Sequence, residues 1–313
     1  MRVGERRRWV AATVAVVALV ALGADSPRRA KPPTFGPAEE AVFTADARKL
    51  LVGPRPDFAS QQPKAVAGSQ FGSETPAGDG GSFEWSALIG EETIETEIKR
   101  QAKRVSGLVT SSTAFKGGGY QECRDAFSML AVMFAIADEH DGDPRWRDRA
   151  AGLSALFARA GANCKVGTDG SYREAKARSD DLADLVRGGR PDAPKPPADR
   201  NWGDVADRSP LMRRMEQAHA ERLPELLSSE RSFGRGSDDA LHESQVLAAL
   251  GEVIIREGLE DADDEEYAAF ARSLRDASKE LSQAAETENY NLGRPAMGRA
   301  TKTCSDCHDL YRG

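Results

Sequence analysis

Beyond residue 83 the apolar residues recur at three- and four-residue intervals, broken by Gly and Asp-Pro steps, which is the signature of long helices rather than strands. The first such stretch covers about 91–109, with Ile94, Ile98, Val105 and Leu108 near one face. A second runs over about 120–138. Asp143 as cap and Pro144 as first helical residue open a third, which stops at Gly161, and a fourth spans about 171–186 before Gly188-Gly189. Four helices with short connections after the first pair predict an antiparallel bundle.

A Pro-rich spacer at 191–200 separates a second set. Ser209 as cap and Pro210 as first residue predict a helix to about 227, followed by 238–256, 264–285 and 294–311. The two sets align: Trp85 falls on Trp202, Phe115-Lys-Gly-Gly on Phe233-Gly-Arg-Gly, and Asp184-Leu-Val-Arg-Gly on Asp309-Leu-Tyr-Arg-Gly. A period of roughly 110 to 125 residues is too long for a solenoid unit and reads as a duplicated domain. The expected fold is all-α, two tandem antiparallel four-helix bundles at 83–190 and 201–313.

The chemistry lies at the end of the second set, in Cys304-Ser305-Asp306-Cys307-His308. Cys-x-x-Cys-His is the attachment signature of a c-type haem, in which two thiols bond the porphyrin and the imidazole ligates iron. On a helix, positions i and i+3 share a face, so both sulfurs meet one porphyrin edge. Two other readings use the same residues. A zinc site needs four ligands, and Cys123, Cys164, His140, His219 and His242 form no second compact cluster in sequence. A thioredoxin-like pair needs a βαβ setting that the helical pattern does not supply. In the first set Ser179, Leu182 and Ala183 stand opposite Cys304, Cys307 and His308, so one haem per chain is expected.

Before the first set, Arg2, Arg6, Arg7 and Arg8 precede an apolar run from Trp9 to Leu22 with Gly23 and Ala24 after it. This reads as a secretory signal over 1–24, with an uncleaved membrane anchor over 9–23 as the rival, and places the body in the periplasm or outside the cell. Residues 25–82, rich in Pro, Gly, Ser and Ala, read as an extended tether, with one short helix at about 43–52. Export also permits disulfides. Cys123 near the start of the second helix and Cys164 just past the end of the third are brought together by antiparallel packing, which predicts a Cys123–Cys164 bridge, against two buried free thiols as the alternative. A net charge of −7 and a pI near 5.4 argue against DNA or RNA as partner.

A helical bundle ending in Cys304-Ser-Asp-Cys-His-Asp-Leu-Tyr-Arg312 resembles the cytochrome c prime family, including its low-spin c556-type members, over about 201–313. The resemblance implies a haem inside the bundle, Cys304 and Cys307 as its covalent anchors, and His308 as the proximal iron ligand. It implies Arg312 near the haem on the proximal side, where a plain helix-end charge is the other reading. Family members with a sixth ligand carry Met near the start of the first helix, four residues after an Arg. Arg208 and Met212 match that spacing, and Pro210 between them departs from it. Met215 is the second candidate, His219 on the same face a weaker one, and core-filling Met beside an open iron is the alternative. His140 and His242 read as surface or helix-end residues.

A His–Met-ligated iron would suit electron transfer, with periplasmic redox proteins or a membrane electron-transfer complex as partners. An open iron would suit binding of NO or CO, and a third reading makes the haem-less first set a docking or assembly surface. Family members are often dimers through their first two helices, so the alternatives here are a homodimer or a first set that occupies that face itself. No acid/base pair or activated nucleophile is recognisable, and an enzyme is not expected. The acidic runs Glu260 to Glu266 and Asp180-Asp181 read as solvated faces or caps.

Overall fold

The computed structural model describes residues 83–195 and 200–311. The expected signal, anchor, tether and short helix at 43–52, part of the spacer, and Arg312 lie outside the described residues. The described residues fall in one unit, Thr75–Gly313.

Within it the fold is all-α, without a strand among the described residues. The first four long helices are α1 (Glu91–Leu108), α2 (Tyr120–Glu139), α3 (Arg147–Asn163) and α4 (Asp169–Val186). The second four are α5 (Arg208–Glu216), which continues through a π-helical turn (Gln217–Arg222) into Leu223–Leu226, then α6 (Ser237–Val253), α7 (Glu265–Glu286) and α8 (Tyr290–Tyr311). The π turn has a local cause. Pro224 has no N–H to return to Ala220, and its ring crowds that carbonyl, so the turn before it widens.

Three starts differ from expectation, the simplest being α8, which begins at Tyr290 rather than 294 and so takes Pro295 inside it. Helix α3 begins at Arg147, because Trp146 takes a left-handed conformation (φ 69°) and packs edge-on to Phe134 at 6.1 Å, leaving Asp143 and Pro144 in the preceding turn. Helix α5 begins at Arg208, with Asp207 at the cap position, while the Ser209 hydroxyl accepts from Arg213 Nη1 (2.7 Å). Pro210 is tolerated in this first turn, where backbone N–H groups have no helical acceptor. Asp264 does cap α7, accepting from the backbone N–H of Glu266 and Tyr267.

In the first half α2 packs on α1 and α3, and its buried Phe127 and Phe134 stack on Phe157 at 6.1 and 5.6 Å. In the register that aligns Trp85 with Trp202, these positions are Ser244 and Gly251 in the second half. Aromatic filling is thereby replaced by close helix approach. A Cβ on Gly251 would sit 3.1 Å from Arg275 N and 3.2 Å from Ala271 O, so any side chain there would push α6 and α7 apart by a few tenths of an ångström.

The halves share one contiguous apolar core. Helix α1 meets α6 and α2 meets α5, an exchange of first and second helices between the halves. Trp85 and Trp202 touch at 5.8 Å between ring centroids, and both are buried. The same register aligns Glu97 with Arg214, and these also touch. Equivalent residues that meet one another mark a pseudo-two-fold axis, the covalent analogue of an isologous dimer. This seam is charged at its centre. Arg214, 3 % exposed, donates to Glu97 through Nε (2.8 Å) and Nη2 (3.2 Å), and to Glu243 through Nη1 (2.7 Å). His242 Nε2 joins Glu97 at 2.8 Å. His242 is therefore no surface residue: at 5 % exposure it belongs to the seam. His140 is at a helix end as expected but buried, with Nε2 on the Ile89 carbonyl (2.9 Å) and Nδ1 accepting from Gly142 N–H.

Candidate functional site

The second half opens where the first is filled. Between the start of α5, the start of α7 and the end of α8 lies a cavity of about 680 Å³, within the size range of small-molecule and cofactor sites. Antiparallel packing of α7 and α8 brings the end of one beside the start of the other. The junction is pinned by Tyr311, whose ring meets Tyr267 edge-on at 5.3 Å and whose hydroxyl donates to Asp264 (2.9 Å). This places Cys304, Cys307 and His308 on the cavity wall.

Across the cavity stands α5. At about 100° per residue Met212, Met215 and His219 share one side of the helix, and all three line the cavity. Met215 is buried and Met212 half-buried. His219 Nε2 meets the Thr301 hydroxyl of α8 at 3.0 Å, and its pKa is lowered by burial and then by the nearby His308. Arg208 also lines the cavity and is held by Glu260 (2.9 Å) and Asp261, so the first acidic run is partly engaged rather than only solvated. Ile254, Phe270, Ala271 and Leu274 supply the apolar remainder.

The cysteines are neutral thiols in this environment. Burial pushes Cys304 up to about 11, helped by Cys307. Burial raises Cys307 too, against the opposing charge of Arg208. Among the described residues no group of three or more His, Cys, Asp and Glu side chains is placed to hold a metal ion by itself.

Does this lining fit a haem? Two observations say that it does. The donor set is right: two thiols one helical turn apart on α8, an imidazole next to the second, and thioether and imidazole side chains opposite. The Tyr267 hydroxyl is an orphan, buried and without a hydrogen-bond partner, on a residue that lines the cavity. Arg208 stands over the Tyr267 ring, 5.8 Å from its centroid, near enough to the hydroxyl to favour its anion but outside good hydrogen-bond geometry. A hydroxyl donor beside a guanidinium is suited to an acid group such as a porphyrin propionate. Burial, opposed by Arg208, pushes the Tyr267 pKa up to about 12, so it stays a donor at neutral pH.

Cys123 and Cys164, which the sequence pairs, are both buried and stand as separate thiols in the structure. Burial pushes each up to about 12, and Cys164 adds to the shift of Cys123, so the two side chains are near each other. Ser179 and Leu182, opposite the two cysteines of the motif in the aligned halves, are buried in the first half.

Several residues of the site carry no motif. Tyr267 reads in the sequence as one more core aromatic of an amphipathic helix, and only the fold sets it against Arg208 and Cys307. Arg213 and Arg214 sit between the two methionines; the one signal is Arg214, a charge on the side of α5 away from the Met stripe, which would be solvated in an isolated bundle.

Fold and site together define a helical-bundle protein with a c-type haem-binding motif on its last long helix. Residues 262–312, spanning α7 and α8, match the family model described as Cytochrome C′, so the C-terminal region carries the pattern of a family of c-type haem proteins. Neither the search of curated proteins nor that of solved structures found a match to the chain. No helix among the described residues is long and apolar enough to cross a membrane.

Proposed function

We propose that the chain is an exported mono-haem electron carrier, with Cys304 and Cys307 as covalent anchors, His308 as proximal ligand and a methionine of α5 as the sixth. The observation that carries this reading is that one cavity wall bears both thiols and His308 while the facing wall bears Met212 and Met215. When bound, the haem would supply a one-electron iron couple, whose potential rises with His–Met ligation. The chain's own work is to orient and to exclude. Tyr267 would donate a hydrogen bond to an acid group of the haem and Arg208 would neutralise it, while Phe270, Leu274 and Ile254 would keep water from the methionine side. Met215, the more deeply buried of the two, is less free to swing than Met212. The matched family's Arg-to-Met spacing favours Met212. Redox proteins of the periplasm, or a membrane electron-transfer complex, are the proposed partners.

The test is a pyridine haemochrome assay on the full exported chain, with oxidised and reduced spectra of Met212→Leu and Met215→Leu. One covalent haem, with a low-spin spectrum that turns high-spin in one of the two variants, is the expected result. A high-spin ferric spectrum in the unmodified protein, unchanged in both variants, would overturn the carrier reading in favour of an open iron that binds NO or CO. Absence of covalent haem would overturn both.

A further inference from the structure

The cavity wall that bears the methionines is held from behind. On α5 the order is Met212, Arg213, Arg214, Met215, and helical geometry turns Arg214 roughly opposite the two methionines. The methionines face the cavity; Arg214 faces the first half, and Arg213, at the cavity rim, reaches across to it. Arg213 makes a forked pair with Asp125 of α2, its Nε donating to Oδ2 at 2.8 Å and its Nη2 bonding Oδ1. Arg214 is clamped between Glu97 of α1 and Glu243 of α6. Glu97 in turn accepts from Gln101 Nε2 (2.8 Å) and contacts His242, while Glu243 also meets Arg100 (3.1 Å) and Arg222 from the rim.

Such a clamp fixes more than attachment. An apolar seam tolerates small slides of one helix along another, whereas a fork between guanidinium and carboxylate has one register. Beyond Glu216 the helix passes into the π turn, so α5 has a stretch of regular backbone only 9 residues long to be held. The anchors sit in the second half of that stretch, just ahead of the π turn.

We propose that the first half is a positioning device for the cavity of the second, with Asp125 and Glu97 as positioning residues that set the register of Met212 and Met215 through Arg213 and Arg214. The proposal rests on the haem-binding reading above, in that its object is the distal wall of that site. It gives the motif-free half a role that neither carrying electrons nor docking a partner requires.

The test uses the full chain with its haem and three variants: Asp125→Asn, Glu97→Gln, and Asp125→Glu as the conservative rescue. Covalent haem content is verified first by pyridine haemochrome. Carbon monoxide association with the reduced protein, the spin state of the oxidised protein, and backbone hydrogen exchange of 208–222 are then measured. The expected result is a change in the CO association rate of roughly 2- to 30-fold in Asp125→Asn and Glu97→Gln. A shifted spin-state ratio and faster exchange in 208–222 accompany it, with Asp125→Glu close to the unmodified protein. Asp125→Asn, in a pair whose arginine reaches solvent, decides alone if Glu97→Gln does not fold. Unchanged CO kinetics and spin state, with loss of stability only, would reduce the clamp to a structural seam and overturn the proposal. Should the unmodified chain hold no covalent haem, the functional reading fails, and the exchange arm still decides whether Asp125 governs α5.

Discussion

Removing a single oxygen from Tyr267 should stabilise the haem-free protein. The residue is 1 % exposed, and its hydroxyl is buried without a hydrogen-bond partner. An orphan of this kind carries a desolvation penalty of about 1–3 kcal/mol, an upper bound here because Arg208 lies beside it, and Tyr267→Phe would recover it with the ring and its edge-on contact with Tyr311 kept. For a unit of this size that corresponds to a rise in Tm of roughly 2–12 °C. With haem bound the sign should turn. If the hydroxyl then donates to an acid group of the porphyrin, the variant loses that bond and the gain shrinks or reverses. Urea denaturation of both forms, the haem-free one made by Cys304→Ser/Cys307→Ser, measures the difference. An equal gain in both forms would mean that the hydroxyl finds no partner in the loaded site. A destabilised haem-free variant would mean that the hydroxyl is not an orphan at all.

Three further outcomes follow from the seam and the thiols. Trp85→Ala or Trp202→Ala should cost about 3–5 kcal/mol in chemical denaturation, since each removes a buried indole from the contact between halves. Burial alone would raise the Glu97 carboxyl, but Arg214 and His242 hold it well below its usual 4.5. Its contribution is therefore present above that value and lost as pH falls through the depressed folded value, so Glu97→Gln should show a flatter loss of stability on acidification below about pH 4.5. Thiol titration of the denatured, unreduced holoprotein should find no free thiol if Cys123 and Cys164 form the proposed bridge, worth roughly 4 kcal/mol by loop entropy, and two if they do not.

How much of this could be seen in the chain itself depended on range. The helices were legible because their stripes are local: Ile94, Ile98 and Val105 are buried as their spacing implies. The haem motif was legible because its residues lie within one turn and a half of α8. Caps were less so, since Asp143, Ser209 and Asp264 all have capping chemistry, yet only Asp264 keeps it, the others yielding to the pull of Trp146 and to Arg213. What the sequence hid was long-range charge. His242 looks like a surface residue among Asp238, Asp239 and Glu243, and nothing local tells that Glu97 lies across from it. Likewise the orphan hydroxyl of Tyr267 is created by what surrounds it, not by its neighbours in the chain.

Carrying the two halves on one chain changes what dilution can do. Separate protomers joined by a seam like that around Trp85 and Trp202 drift apart as their number falls, whereas a covalently linked partner is met at an effective concentration on the order of millimolar. One molecule alone thus keeps the support that an ordinary dimer would forfeit when scarce, and it cannot exchange that support for an ill-matched stranger.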